Sequence, residues 1–218
     1  MRYFEILKRK DVGSIGIGAM IVFIAMVLVA GIAASVLIQT STTLETQAMA
    51  TGRETTEEVS SGLDVFDVLG YAVTANSADI SKIAIGVRPR AGSDGIDLIT
   101  AYMELSNSTK KAVLNYTQSF FVDDNTGYDD IFSKAAFPTA NARFGILVVE
   151  DADSSIAVGA PVLNRGDKVY LCVNTTNLFT DLEERIDIWG FVAPEIGAPG
   201  MISFRTPASY TDDVMDLQ

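Results

Sequence analysis

The sequence predicts an α+β protein in which a long N-terminal hydrophobic α-helix precedes an antiparallel β-sandwich or barrel. Three observations carry this. From Val12 to Leu44 no residue is charged, a length that exceeds the roughly 20 apolar residues needed to cross a bilayer. Beyond Leu63 the hydrophobic pattern changes to alternation, with turn residues at short intervals. No βαβ alternation interrupts those strands, which is the pattern of an antiparallel all-β layer structure.

The helical segment begins after a basic head, Arg2, Lys8, Arg9 and Lys10, a charge placement that favours retention on the cytoplasmic side of a membrane. From Ile17 to Ala30 it is apolar on every side, so it must be covered all round by lipid or by other helices. A helix from Ser14 to about Ala50 would be roughly 55 Å long, longer than a hydrocarbon core of about 30 Å. The excess, from Gln39 on, is semi-polar, with Leu37, Leu44 and Ala48 keeping an apolar stripe. Small residues at Ala30, Gly31, Ala33, Ala34 and Ser35 form small-xxx-small pairs, which permit close approach of helix backbones. The polar stretch Gly52 to Ser61 reads as the helix end and the boundary to the second part.

Predicted strands follow at 64–74, 81–87, 96–105, 112–121, 144–149, 168–173, 186–192 and 201–204. Pro89 to Gly95 and Asn164-Arg165-Gly166-Asp167 supply turn chemistry. Trp189 and Phe191 share one strand face, where core or subunit contact is expected rather than a ligand platform.

Composition narrows the chemistry. The formal net charge of −12 argues against a nucleic-acid partner, because neutralising phosphates needs clustered Lys and Arg. There is no histidine, which removes Ser-His-Asp and Cys-His catalysis and most zinc and haem sites. Cys172 is the single cysteine, so no intramolecular disulfide forms. Its apolar, alternating surroundings predict a buried, inert thiol. No catalytic constellation is visible, and an enzymatic role is not expected.

The stretch Lys8-Arg9-Lys10-Asp11-Val12-Gly13, followed by Ser14-Ile15-Gly16-Ile17-Gly18 and the run Ile21 to Ala30, resembles the class III, type IV pilin-like signal of archaeal flagellins (archaellins). Ile202-Ser203-Phe204-Arg205-Thr206-Pro207 resembles that family's ending. The resemblance implies cleavage between Gly13 and Ser14 by a prepilin-type peptidase, with Gly16 as the third mature residue. A glutamate usual at the fifth mature position of bacterial type IV pilins is here Gly18, which favours archaellin. Asp11 and Val12 are unusual for the cleavage motif. The implied division is a signal peptide (1–13), an assembly helix and linker (14–61) and an immunoglobulin-like β-sandwich outer domain (62–218).

The resemblance further implies a structural subunit of a motile filament, a homo-oligomer of many copies with paralogous archaellins as further partners. The precursor would sit transiently in the cell membrane, be added by the archaellum assembly motor, and end extracellularly. Ile21, Phe23, Met26, Leu28, Ala30, Gly31, Ala34 and Leu37 are the expected filament-core residues. Two other readings stay open here: an adhesive archaeal pilin, and a surface protein held by an uncleaved anchor or released by a cut near Ala34.

Three N-x-S/T sequons occur, at Asn107, Asn115 and Asn174. Archaellins are commonly N-glycosylated, and the expected order of use is Asn107, then Asn174, with Asn115 requiring an outward-facing strand position. The run Asp123, Asp124, Asn125, Asp129 and Asp130 around Gly127 offers oxygen ligands for a hard cation such as Ca²⁺. It lacks the EF-hand register, and a solvated acidic loop is the alternative. A metal ion in the outer domain is known in the family.

Overall fold

The computed structural model describes the backbone of residues 2–72, 79–123, 130–179 and 182–218, and the side chains of the same residues from Gly13 on, Ser14 excepted. The chain forms two compact units, Met1–Glu54 and Thr55–Gln218.

Helix α1 spans Arg2–Ser60 without a break. The helix continues into the polar stretch from Gly52 and ends within it, at Ser60. Arg53, Glu54, Glu57 and Glu58 are good helix formers, and one interior glycine costs only about 1 kcal/mol. The last turn contains no basic residue, so the helix dipole is not complemented by charge there. Hydrogen bonds hold the end instead. Ser61 N donates to Glu57 O (2.8 Å), Ala198 N to Ser61 O (2.9 Å) and Leu63 N to Ala198 O (3.0 Å). Gly62 sits in this crossing, where a Cβ would lie 2.9 Å from the Ala198 carbonyl oxygen. A side chain there would push the strands apart.

The second unit is built on strands β1 (Leu63–Ala72), β2 (Ile80–Pro89), β3 (Ile96–Asp97), β4 (Tyr102–Ser106), β5 (Lys111–Asp123), β6 (Arg143–Glu150), β7 (Ile156–Ala157), β8 (Ala160–Leu163), β9 (Lys168–Asn174), β10 (Asp187–Ala193), β11 (Gly200–Arg205) and β12 (Val214–Asp216). A short helix, α2 (Thr175–Phe179), follows β9. Nine strands form one sheet in the order β11-β10-β4-β5-β6-β9-β2-β1-β12, and β3-β8-β7 form a small second sheet.

The α+β class is as predicted. The sandwich takes the form of one mixed sheet that curls until its ends meet, with β5 and β6 parallel. The Gly62–Ala198 bridge links the start of β1 to the segment before β11. Gln218, beyond β12, accepts from Ser203 N on β11 at 3.1 Å.

Each predicted strand appears over its described residues, 73 and 74 of the first lying outside them, with differences that have local causes. The 96–105 segment splits because Asp97 Oδ1 accepts from Ile99 N at 2.8 Å, an Asx turn that competes with the ladder. β3 then leaves the large sheet and pairs with β8. β7, β8, β12 and α2 are too short to give a periodic signal.

The main core gathers Leu63, Ile83, Ile85, Leu114, Phe144, Ile146, Leu171 and Phe204 inside the curled sheet. A smaller cluster of Ala84, Phe132, Ala136, Phe137, Leu147 and Cys172 covers the opposite face of the same central strands. There Phe132 stacks with Tyr71 at 5.1 Å and with Phe137 at 5.5 Å between ring centroids. Lys82 ties the segment down, donating from Nζ to Phe132 O at 2.7 Å and lying over the Phe137 ring at 5.0 Å. Central strands are thus buried on both faces, which explains the continuous apolar run in β6. Cys172 is fully buried, and desolvation pushes its thiol well above the ordinary range, as expected of an inert cysteine.

The C-terminal Thr206 closes the domain. Its Oγ1 donates to Glu183 O (2.8 Å) and accepts from Ile186 N (2.7 Å), while Tyr210 Oη donates to the same turn at Glu183 O (3.0 Å). Thr206→Val keeps the shape but strands the Ile186 backbone N–H, while Glu183 O keeps its bond from Tyr210 Oη. It should destabilise the domain by about 1–3 kcal/mol, readable as a lower denaturant midpoint at unchanged slope. An unchanged midpoint would remove this residue from the closure.

Candidate functional site

The first functional surface is the helix. Between Ile15 and Leu44 its large apolar side chains are exposed within the chain; Phe23 is 67% and Leu37 69% exposed. Its most apolar 18-residue window has mean hydropathy 3.0 and no buried residue. Ile21, Met26 and Leu28 are equally uncovered, as are Ala30 and Ala34. A Cβ added at Gly13, Gly16, Gly18 or Gly31 would meet nothing within 4 Å. Among the described residues no packing accounts for those glycines.

The semi-polar stretch is organised for burial. Thr40 Oγ1 donates to Leu37 O (3.0 Å), Thr42 to Gln39 O (3.0 Å), Thr43 to Gln39 O (2.8 Å) and Thr46 to Thr43 O (2.9 Å). These hydroxyls are satisfied by the helix itself. They can be covered by apolar neighbours without leaving a donor unmet.

The three sequons occupy different settings. Asn107 is buried in the β4–β5 turn, where its Oδ1 accepts from Lys110 N at 2.8 Å. Ser108 beside it has φ +52°. Asn174 is half-buried at the end of β9, with a buried Oδ1 that has no hydrogen-bond partner among the described residues. Its neighbour Thr175 donates from Oγ1 to Ile80 O at 2.6 Å. Asn115 is exposed on β5. It points outward because Leu114 and Tyr116 on either side point into the core. The geometric order is therefore the reverse of the one expected from sequence.

Of the acidic run, Asp124, Asn125 and Asp129 lie outside the described residues. Asp123 ends β5, exposed. Asp130 Oδ1 accepts from Phe132 N at 2.9 Å, so it caps the segment that fills the small core cluster. A different set of carboxylates converges. Asp151, Asp153 and Asp167 bring oxygens within 4.8 Å of one another. Backbone amides surround them: Asp167 accepts from Ala152 N (3.0 Å) and Asn164 N (2.8 Å), Asp151 from Ile156 N (3.2 Å). Hydrogen bonds from Ser155 and Asn164 hold the Asp153 carboxyl below the usual range. Sequence reading missed this group because its members come from two turns separated by β7 and β8. The Asp151-Ala152-Asp153 spacing and the Asn164–Asp167 turn were its only sequence signals.

Residues 13–204 match the family described as Archaeal-type flagellin. Flagellin B2 of Methanocaldococcus jannaschii is 45% identical over the whole of both chains. Flagellin B3 of Thermococcus kodakarensis is 39% identical, covering 96% of this chain and 98% of the relative. The crystal structure of archaeal flagellin FlaB1 from M. jannaschii superposes with TM-score 0.65 at 35% identity, covering 72% of this chain and 97% of that one. The archaeal flagellum of Methanospirillum hungatei gives TM-score 0.61 at 14% identity, covering 92% and 98%, a likeness of fold. With sequence, fold and an unpaired apolar helix in agreement, the chain belongs to the archaeal-type flagellin family.

Proposed function

We propose that the chain is a structural, non-catalytic subunit of an archaeal flagellar filament and that it polymerises through α1. A prepilin-type peptidase cuts between Gly13 and Ser14, and the precursor waits in the cell membrane. The assembly motor then moves the mature helix into a core of identical helices, while the β domain forms the outer, extracellular wall. Paralogous flagellins are further partners. The observation that carries this is the helix itself, whose apolar residues, Ile21, Phe23, Met26, Leu28 and Leu37 among them, are uncovered within the chain. Lipid and a helix bundle both accept such a surface, so transfer between them turns on packing, for which Ala30, Gly31 and Ala34 provide close approach.

N-terminal sequencing of purified filaments should begin at Ser14. A start at Met1 or near Ser35 would overturn the processing scheme. Ala34→Glu should be synthesised and cut but should not form filaments, because an unpaired charge in the core costs several kcal/mol per subunit. Normal filaments from that variant, seen by electron microscopy, would exclude Ala34 from the core.

An N-linked glycan on the outer domain is part of the same reading, with Asn115 as its first site on grounds of exposure. So is a divalent cation such as Ca²⁺ on outer-domain carboxylates, in the Asp123–Asp130 run expected from sequence. Saturating Ca²⁺, at about 100-fold over its dissociation constant, should stabilise the domain by about 2.7 kcal/mol and raise its melting temperature. Loss of the shift in Asp123→Asn and Asp130→Asn would support the 123–130 run. Loss in Asp153→Asn alone would move the ion to the other carboxylate group, and no shift at millimolar Ca²⁺ would sink the cation.

A further inference from the structure

The outward face of β11-β10-β4-β5 is apolar in a way the rest of this acidic domain is not. Trp189 (48% exposed), Met201 (65%), Tyr102 and Val113 lie open on it, and Phe191 is half-buried beside them. The pairing register sets them in rows. Asn115 stands opposite Tyr102, which stands opposite Ala193. The next outward row runs Val113, Glu104, Phe191, Met201, and the next Lys111, Ser106, Trp189, Ser203. The Tyr102 and Phe191 rings meet edge to face at 6.0 Å.

Among the described residues of β11, β10, β4 and β5 the charges on this face cancel, and the exposed Arg143 stands at its edge, opposite Asn115 on β6. Lys111 Nζ pairs with Glu104 Oε1 at 2.5 Å and Arg205 with Asp187 at 3.6 Å, two cations against two anions. In a chain of net charge −12, this leaves a neutral patch rich in aromatic rings. Such a surface normally has a cover. Its neutrality offers nothing to attract a charged partner, whereas aromatic faces pack well against the C–H faces of sugar rings.

The sequon at Asn115-Tyr116-Thr117 opens onto this patch. With strands about 4.8 Å apart and a rise of about 3.3 Å per residue, Phe191 is roughly 12 Å and Trp189 roughly 17 Å from Asn115 along the sheet. A short oligosaccharide spans that distance. We propose that the glycan carried by Asn115 folds back across Tyr102, Phe191 and Trp189 and is the cover of this apolar face. The inference rests on the reading that Asn115 is glycosylated. Attachment replaces one Nδ2 hydrogen with the anomeric carbon of a sugar delivered by a phosphate-activated donor. The phosphate leaves with the electron pair of the broken C–O bond, and the proton passes to solvent.

Trp189 is the single tryptophan and reports on its own cover. Filaments from wild-type, Thr117→Ala and Thr117→Ser cells would be compared, intact and dissociated into subunits, by the mass of the Asn115 peptide and by acrylamide quenching of Trp189 fluorescence. Thr117→Ala should lose the glycan and raise the quenching constant roughly twofold as the indole loses its cover, in both intact and dissociated states. Thr117→Ser keeps the sequon and should behave as wild type, which separates loss of the glycan from disturbance of β5. An unmodified Asn115 in the wild type would overturn the glycosylation reading and this inference together. A glycan at Asn115 with unchanged quenching in Thr117→Ala would overturn the inference alone. Quenching that stays low in Thr117→Ala filaments and rises only on dissociation would assign the face to a neighbouring copy instead.

Discussion

The structure depends on one unmet demand: a helix stretch with no polar side, whose large apolar residues stand exposed among the described residues. Burying a single Leu, Ile or Phe side chain is worth about 1.5–3 kcal/mol, and the segment from Ile15 to Leu44 presents such side chains along its whole length. The gross term is therefore on the order of tens of kcal/mol per helix, against the roughly 5–15 kcal/mol that hold an ordinary domain together. A surface of that size cannot be left in water by any gain made in the β domain. Such a surface has to be covered, and lipid or copies of the same helix can do it. The threonine hydroxyls bonded back onto helix carbonyls extend the coverable length beyond the apolar run.

The second unit meets the opposite requirement. It must stand in solvent without disulfides, since Cys172 is alone and buried. It does so by closing one sheet on itself and by covering its central strands on both faces. Closure uses short-range polar ties at the seam: the Gly62–Ala198 crossing, the Gln218 side chain on β11, and the Thr206 and Tyr210 bonds to the 182–186 turn. A curled sheet has few free edges, an advantage for a domain held at high local concentration in a polymer.

How much of this was legible in the sequence varies with the kind of signal. The helix was plain, because an uncharged run of that length has few alternatives, and it ends inside the polar stretch 52–61, near its far side. Glu57 and Glu58 read as a polar boundary, yet glutamate favours helix. The main strands were legible because alternation and turn residues agree. The parallel β5–β6 pair was not, since sequence periodicity carries no strand direction. Nor was the cover supplied by Phe132 and Phe137, which lie in an irregular segment and are fixed by Lys82 and by ring stacking rather than by periodicity. The convergence of Asp151, Asp153 and Asp167 depends on how two turns meet, which spacing along the chain does not encode.

The sequons show why local pattern and site differ. All three satisfy the same rule, but the side-chain amide has competing uses in a folded turn. At Asn107 the carbonyl of the amide is taken by Lys110 N, and the side chain is buried in the β4–β5 turn. At Asn115 a strand interior looked unfavourable, yet the period of two turns every second residue outward, and the core positions of Leu114 and Tyr116 fix Asn115 on the solvent side. The same alternation places Tyr102, Phe191 and Trp189 on that side. A strand that must bury one face has no freedom to hide the other, so whatever apolar residues stand there must be covered by something the sheet itself does not supply.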